Sequence, residues 1–240
     1  MKVTRFLASI LLLGATASTS FAQGSVSINW TSCTGPIDIA NPGGAKVTAL
    51  LSVLGMSTPN KAYQWVVTAG SPGGLKDAWR FDAAGCQGSS QILVTHNIAK
   101  VCAPLMGTAG PSLQITDWSY DSGTGKAKAT LANSYPNGAV YSTGTTPAAT
   151  TRYLLGGIVF DETYSVAGPG DPPNTCGGIE APVCFHITSA SWLDLNSTES
   201  NWTVANEWIT SNDPNNNSRC PGATPAAAKT WGQVKSQYRN

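Results

Sequence analysis

An all-β fold, an antiparallel sandwich of jelly-roll or immunoglobulin-like type with a short C-terminal tail or helix, is what this 240-residue sequence predicts. Three observations carry that prediction. Roughly ten to twelve short apolar runs, several alternating with period two, are separated by turns rich in Gly, Pro, Asn and Ser. Charged residues make up only 11% of the chain, so the Lys- and Glu-rich faces of exposed helices are missing. Strands do not alternate with helical patterns, and no fixed-period repeat appears, which argues against a βαβ fold.

The chain opens with Lys2 and Arg5, an apolar run from Phe6 to Ala17, and small residues around Ser20-Phe21-Ala22. That is the layout of an export signal, and it is shorter than the ~20 apolar residues that cross a bilayer. The expected division is residues 1–22 as signal peptide, 23–210 as β-sandwich and 211–240 as tail. The exported part would be extracellular or at the surface of a bacterial cell, with no membrane insertion after signal removal.

Val26 to Trp30 alternates and reads as a first strand, followed by turn-rich Thr31 to Gly44. Val47, Ala49, Leu51 and Val53 share one face of the next strand, and Tyr63, Trp65 and Val67 share a face of the one after the turn Ser57 to Lys61. The Leu50–His96 stretch holds the end of the first run and all of the second, and the two are expected to form the core pair of one sheet. Ala78 to Asp82 and Gln91 to Thr95 read as short strands, with Arg80 and Asp82 on one face as a local ion pair. Leu113 to Tyr120 is extended, and strict alternation puts Trp118 and Tyr120 opposite Leu113 and Ile115. Asp121 to Gly125 is a hairpin turn, and its second arm points Lys126, Lys128 and Thr130 outward and Ala127, Ala129 and Leu131 inward. Arg152 to Tyr164 carries Gly156-Gly157, the mark of a bulge or close approach. Cys184 to Leu195 and Trp202 to Ile209 complete the strands. Lys229 to Arg239 has the pattern of a short amphipathic helix.

Six cysteines, an even number in an exported chain, read as three disulfides. Proximity in sequence favours Cys86–Cys102 and Cys176–Cys184, which leaves Cys33 with Cys220. No CxxC pair or ligand-spaced histidines support a zinc site. Without Lys2 and Arg5 the 14 basic residues fall to 12 against 13 acidic ones, so long-range attraction to nucleic acid is not expected.

The runs VTALLSVLG and AYQWVV, then LLGGIVFDETY, CFHITSASWLDLNS and WTVANEWI, resemble the cohesin and carbohydrate-binding-module type of secreted β-sandwich. That resemblance implies that the first pair of strands and the late trio build opposite sheets. The whole exported chain is also similar to a group of secreted bacterial proteins ending in Trp-Gly-x-(Val/Ile)-Lys, here Trp231 to Lys235. Neither resemblance carries a binding residue.

Catalytic residues are not expected. His96 and His186 lie in or beside expected strands, without a nucleophile elbow, so both read as structural. Asp161 and Glu162 are adjacent and point to opposite faces, while Asp194, Glu199 and Glu207 are the acids that a polysaccharide hydrolase would use. Asp194, Asn196 and Glu199 could offer oxygens to Ca²⁺, against the alternative that they cap their own turns. Sequons at Asn29, Asn196, Asn201 and Asn216 matter only in a glycosylating host. Eight tryptophans are many for this length, and exposed rings can stack on sugars. Trp118, Tyr120, Trp202 and Trp208 are the candidate binding residues. The expected role is adhesion or ligand binding, to a glycan or a surface protein, with a hydrolase or a self-associating surface subunit as the alternatives.

Overall fold

The computed structural model describes residues 24–41, 43–56, 60–82, 85–87, 102–104, 114–134, 148–162 and 176–214. Within them the chain is all-β, two mixed, mostly antiparallel sheets packed as a sandwich. β1 (Ser25–Trp30), β3 (Lys46–Leu54) and β8 (Arg152–Asp161) make the centre of the smaller sheet. β5 (Ala103–Pro104) and β11 (Thr203–Asn206) complete it, in the order β11-β1-β3-β8-β5. The larger sheet runs β2-β12-β9-β4-β7-β6, with β10 paired to β9. Its members are β2 (Asp38–Ile39), β4 (Asn60–Gly70), β6 (Gln114–Asp121), β7 (Lys126–Ser134), β9 (Val183–Asp194), β10 (Glu199–Asn201) and β12 (Trp208–Ser211).

The alternating runs behave as the pattern demands. Ala49, Leu51 and Val53 on β3, and Tyr63, Trp65 and Val67 on β4, all point into one buried core. They do so from opposite sheets, because β3 pairs with β8 while β4 pairs with β9. The expected core pair of one sheet is therefore wrong, and so is the implied division into an early pair and a late trio. The chain crosses between sheets from β3 to β4 and from β8 to β9, so each sheet takes one strand from the early group and at least one from the late group. Trp202 to Ile209 is likewise divided. β11 lies parallel to β1 in the smaller sheet, whereas β12 returns to β9 in the larger one.

Rings fill the space between the sheets. Phe160 on β8 and Phe185 on β9 have centroids 4.9 Å apart, and Trp79 closes edge-on against both at 5.2 and 5.6 Å. Trp79 belongs to a short 3₁₀ turn, Asp77–Trp79, where a strand was expected. The reason is local: the backbone bonds stay within the loop, from Arg80 N to Asp77 O, Cys86 N to Asp77 O and Gln87 N to Arg80 O. Gln87 Nε2 also donates to Ala78 O at 2.6 Å. These groups need no partner strand. The Gln91–Thr95 strand and the Lys229–Arg239 helix lie outside the described residues. Asn60 and Lys61, expected in a turn, already belong to β4.

Register shifts interrupt several ladders, and two of them bear on the expected strand faces. One falls at Gly156 on β8, where Leu51 pairs with Gly156 but Ser52 pairs with Leu154, as the Gly-Gly pair suggested. The other lies in β6 between Ile115 and Asp117, and alternation alone did not show it.

The disulfides differ from the expected pairings. Cys33 is bonded to Cys102 with Cα atoms 5.9 Å apart, and Cys86 to Cys176 at 5.4 Å. Cys184 is disulfide-bonded as well, and Cys220 lies outside the described residues. All three sequence-based pairings are thus replaced. Nearness along the chain did not govern, because a bridge needs Cα atoms within about 7 Å and only the packed loops provide that.

The Cys33–Cys102 bridge sits beside buried Leu50 and Leu154. These two point outward from the smaller sheet, away from the main core. Ser27, Asn29 and Ser52 on the same outer face are buried too, and Arg152 Nη1 donates to the Ser27 and Ser52 hydroxyls at 3.2 and 3.1 Å. Burial lowers the pKa of Arg152. The centre of the smaller sheet is therefore covered on both sides, while Thr203 and Ala205 on β11 stay exposed.

Candidate functional site: the outer face of the larger sheet

The larger sheet is covered on one side only along β6, β7, β4 and β9. Register places Ser119, Lys128, Thr68, His186 and Trp208 in one row across five strands. Ser119, Lys126, Lys128, Gln64, Thr188 and Ser189 are exposed there. A shallow, open groove of about 350 Å³ crosses this face, lined by Thr68, Ser119, Tyr120, Asp121, Lys126, Lys128 and Thr188 among others. Its floor is two ladders, β4 with β7 and β7 with β6, which hold these side chains at fixed spacing. Thr188 Oγ1 donates to Val66 O at 3.2 Å, where β9 shifts register against β4. Asp121 is held by the hairpin turn, accepting from Thr124 Oγ1 at 2.8 Å and from Gly123 N at 2.9 Å. The Thr124 hydroxyl and the Gly123 amide keep its carboxyl below the ordinary range. Lys126 and Lys128 have no carboxylate within ion-pair distance among the described residues.

Arg80 supports the rim of the face from below. Its guanidinium lies 4.0 Å from the centre of the Tyr120 ring and forks onto Asp82, with Nε to Oδ1 at 2.9 Å. Nη1 reaches Asp77 at 2.9 Å. The Arg80 hydrogen bond is the main reason the Asp82 carboxyl sits below its usual range. The expected Arg80–Asp82 ion pair is present, although on a loop and not on a strand.

No family model matches the chain, and no curated protein matches it. Solved structures do. The chain is similar in fold to cohesin modules. Three of them are a cohesin from scaffoldin B of Acetivibrio cellulolyticus, solved in complex with a Cel5 dockerin variant; a cohesin module of a Clostridium perfringens family 33 glycoside hydrolase; and a type II cohesin from the A. cellulolyticus ScaA scaffoldin. Each is 10% identical, with TM-scores of 0.36, 0.37 and 0.38. They cover 78%, 80% and 79% of this chain and 98%, 98% and 97% of their own.

The candidate aromatic residues are not brought together. Trp202 is buried, with its ring 5.8 Å from Trp65 and 6.4 Å from Trp192. It marks the point where the chain leaves the larger sheet for the smaller. Trp118 packs against the core with its ring edge-on to Phe81 at 5.0 Å. Tyr120 packs against the core and also lines the groove. Trp208 is half-buried, in register with His186 on the outer face. Trp30, Trp65, Trp79 and Trp192 are core residues, and Trp231 lies outside the described residues. A row of exposed tryptophans is not present among the described residues.

The acids are not assembled either. Asp194 Oδ1 accepts from Thr198 N at 2.7 Å and its carbonyl from Ser197 N at 3.1 Å, so it caps the β9–β10 turn. Glu199 follows on β10, in register with Leu193. Glu207 lies 3.5 Å from His186 Nε2, at the edge of the face. No group of three or more His, Cys, Asp or Glu able to hold a metal exists among the described residues. Asp161 and Glu162 separate as expected: Asp161 pairs with Lys46 at 2.9 Å, while Glu162 is buried. His96 lies outside the described residues. The signal that could have led to the groove was Lys126-x-Lys128-x-Thr130, the outward half of the best alternation in the chain.

Proposed function

We propose that this protein is an exported, non-catalytic binding module that presents the outer face of β6, β7, β4 and β9 to a partner protein. The observation that carries the reading is the difference between the two sheets. The smaller is closed over the centre of its outer side by Leu50, Leu154 and the Cys33–Cys102 bridge. The larger leaves polar side chains around an open groove of about 350 Å³. A pleated sheet holds such side chains in place at little entropic cost, which favours recognition over a broad area. The edge strand β6 supports this reading over self-assembly through an edge. Its bulge and its exposed Asp117 and Asp121 are devices that blunt strand addition. The disulfides fit an oxidising, extracellular location.

The test presents the extracellular protein fraction of the source bacterium, and separately a glycan array, to the immobilised mature protein. Three forms are compared: wild type, Thr68→Arg in the groove, and Thr203→Arg on β11 as a control. The expected result is a protein species bound by wild type and by the control, with at least tenfold weaker binding to Thr68→Arg. Glycan binding without protein binding overturns the reading, as does protein binding indifferent to Thr68→Arg.

A further inference from the structure

Arg152, the first residue of β8, brings a guanidinium onto the outer face of the smaller sheet without an acid to meet it. It is half-buried, and its Nη1 donates to Ser27 Oγ at 3.2 Å and to Ser52 Oγ at 3.1 Å. Those hydroxyls come from neighbouring strands, where Ser27 and Ser52 are in register, and the two serines are 4% and 0% exposed. One nitrogen of the guanidinium is thus fixed from below. The residues level with Arg152, Leu54 on β3 and Ser25 on β1, carry no charge. Lys46 and Asp161 stand at the opposite end of the β3–β8 ladder, paired with each other. Arg152 takes part in no ion pair among the described residues.

Arg80 shows what this side chain does when acids are present. Its Nη1 goes to Asp77, while Nε and Nη2 together take the two carboxylate oxygens of Asp82. In Arg152 the Nη1 position is taken by the serines, and the Nε–Nη2 edge has no acceptor among the described residues. We propose that this edge of Arg152 is a binding site for a carboxylate from outside the molecule, with Ser27 and Ser52 as positioning residues that hold the guanidinium for it. Two parallel N–H groups match the two oxygens of a carboxylate, and such forked pairs are among the stronger hydrogen bonds. Burial lowers the pKa of Arg152 and no carboxylate raises it, the condition of a cation whose charge is not neutralised. Holding Nη1 in place also reduces the side-chain freedom lost on binding. A single charge fits a carboxylate better than a doubly charged phosphate, because Lys46 is at the far end of the ladder. The carboxylate belongs to a small organic acid or to an acidic residue of another protein. The site is on the sheet opposite the groove, so it stands independently of the partner-binding reading.

Nitrogen-15 NMR of the arginine Nε–H groups in the mature protein reads the site directly. Sodium acetate and the capped peptide acetyl-Gly-Asp-Gly-amide are the probes, with sodium chloride at equal ionic strength as the reference. The expected result is a saturable shift of the Arg152 signal with acetate and none for Arg80, whose edge Asp82 already occupies. Tighter binding of the peptide than of acetate assigns the carboxylate to a protein, and equal or weaker binding assigns it to a small acid. Arg152→Lys keeps the charge but loses the fork, so the rise in melting temperature with acetate over chloride should fall several-fold. Ser27→Ala with Ser52→Ala should weaken acetate binding several-fold while Arg152 stays in place. An Arg152 signal that moves with acetate only as it does with chloride overturns the site, and it does so in wild type, whatever the variants do. Undiminished acetate binding in the double serine variant overturns the positioning role.

Discussion

Ile115 and Trp118 stand on the same side of β6 although they are three residues apart. Ile115 is in register with Leu131 and Trp118 with Ala129, two inward positions of β7 that are themselves two residues apart. The ladder skips Thr116, and that one extra residue inverts the parity of everything after it. Strict alternation would expose Trp118 and Tyr120; the bulge turns both against the core.

Trp118→Ala should therefore cost stability and leave partner binding on the outer face intact. A loss of about 2–3 kcal/mol is expected for a ring packed on Phe81 but not fully buried, below the range for fully buried aromatics. Urea unfolding measures the loss. No change in midpoint would mean that the ring is in solvent.

Non-reducing peptide mapping should recover Cys33 linked to Cys102 and Cys86 linked to Cys176. The bridges span 69 and 90 residues, so removing either pair by Ser substitution should cost about 4–5 kcal/mol in the chain-entropy account. Recovery of a Cys86–Cys102 peptide would contradict the fold around the Trp79 turn.

Arg80 and Asp82 predict the shape of the acid limb. The folded-state pKa of Asp82 is lowered by Arg80, so the pair contributes stability above the unfolded pKa of about 3.9 and loses it as pH falls. Asp82→Asn should flatten this part of the melting-temperature profile below about pH 4. Arg80→Lys should reproduce much of the charge effect but lose the fork and the stack on Tyr120. Parallel acid limbs for wild type and Asp82→Asn would refute the pairing.

Gly125 closes the β6–β7 turn with a φ of 67°, and a Cβ there would stand 2.5 Å from Gly74 Cα. Its carbonyl also accepts from Leu75 N at 2.8 Å, which fastens the hairpin to the loop after β4. Gly125→Ala should destabilise by about 1–3 kcal/mol through backbone strain and the lost close approach. Denaturant unfolding checks it, and a neutral result would show that the two turns do not touch.

Much of the fold was legible because period two is a local property. Val26 to Trp30, Val47 to Val53, Tyr63 to Val67 and Ala127 to Leu131 carry their own inside and outside, and the Asp121–Gly125 turn carries its own hairpin. The all-β class follows from those runs and from the shortage of charged residues. Tertiary structure alone decided the rest, because each remaining question concerns partners distant in sequence. Alternation says which residues share a face, but not that β3 and β4 belong to different sheets. It does not reveal the skipped residue at Thr116, since a bulge depends on the register of two strands. Cysteine positions do not state pairings, because a bridge forms where loops converge in space. The candidate site is of the same kind. Lys126, Lys128 and Thr68 are ordinary outward residues in the sequence, and they become a site only because one sheet is closed over its centre and the other is left open.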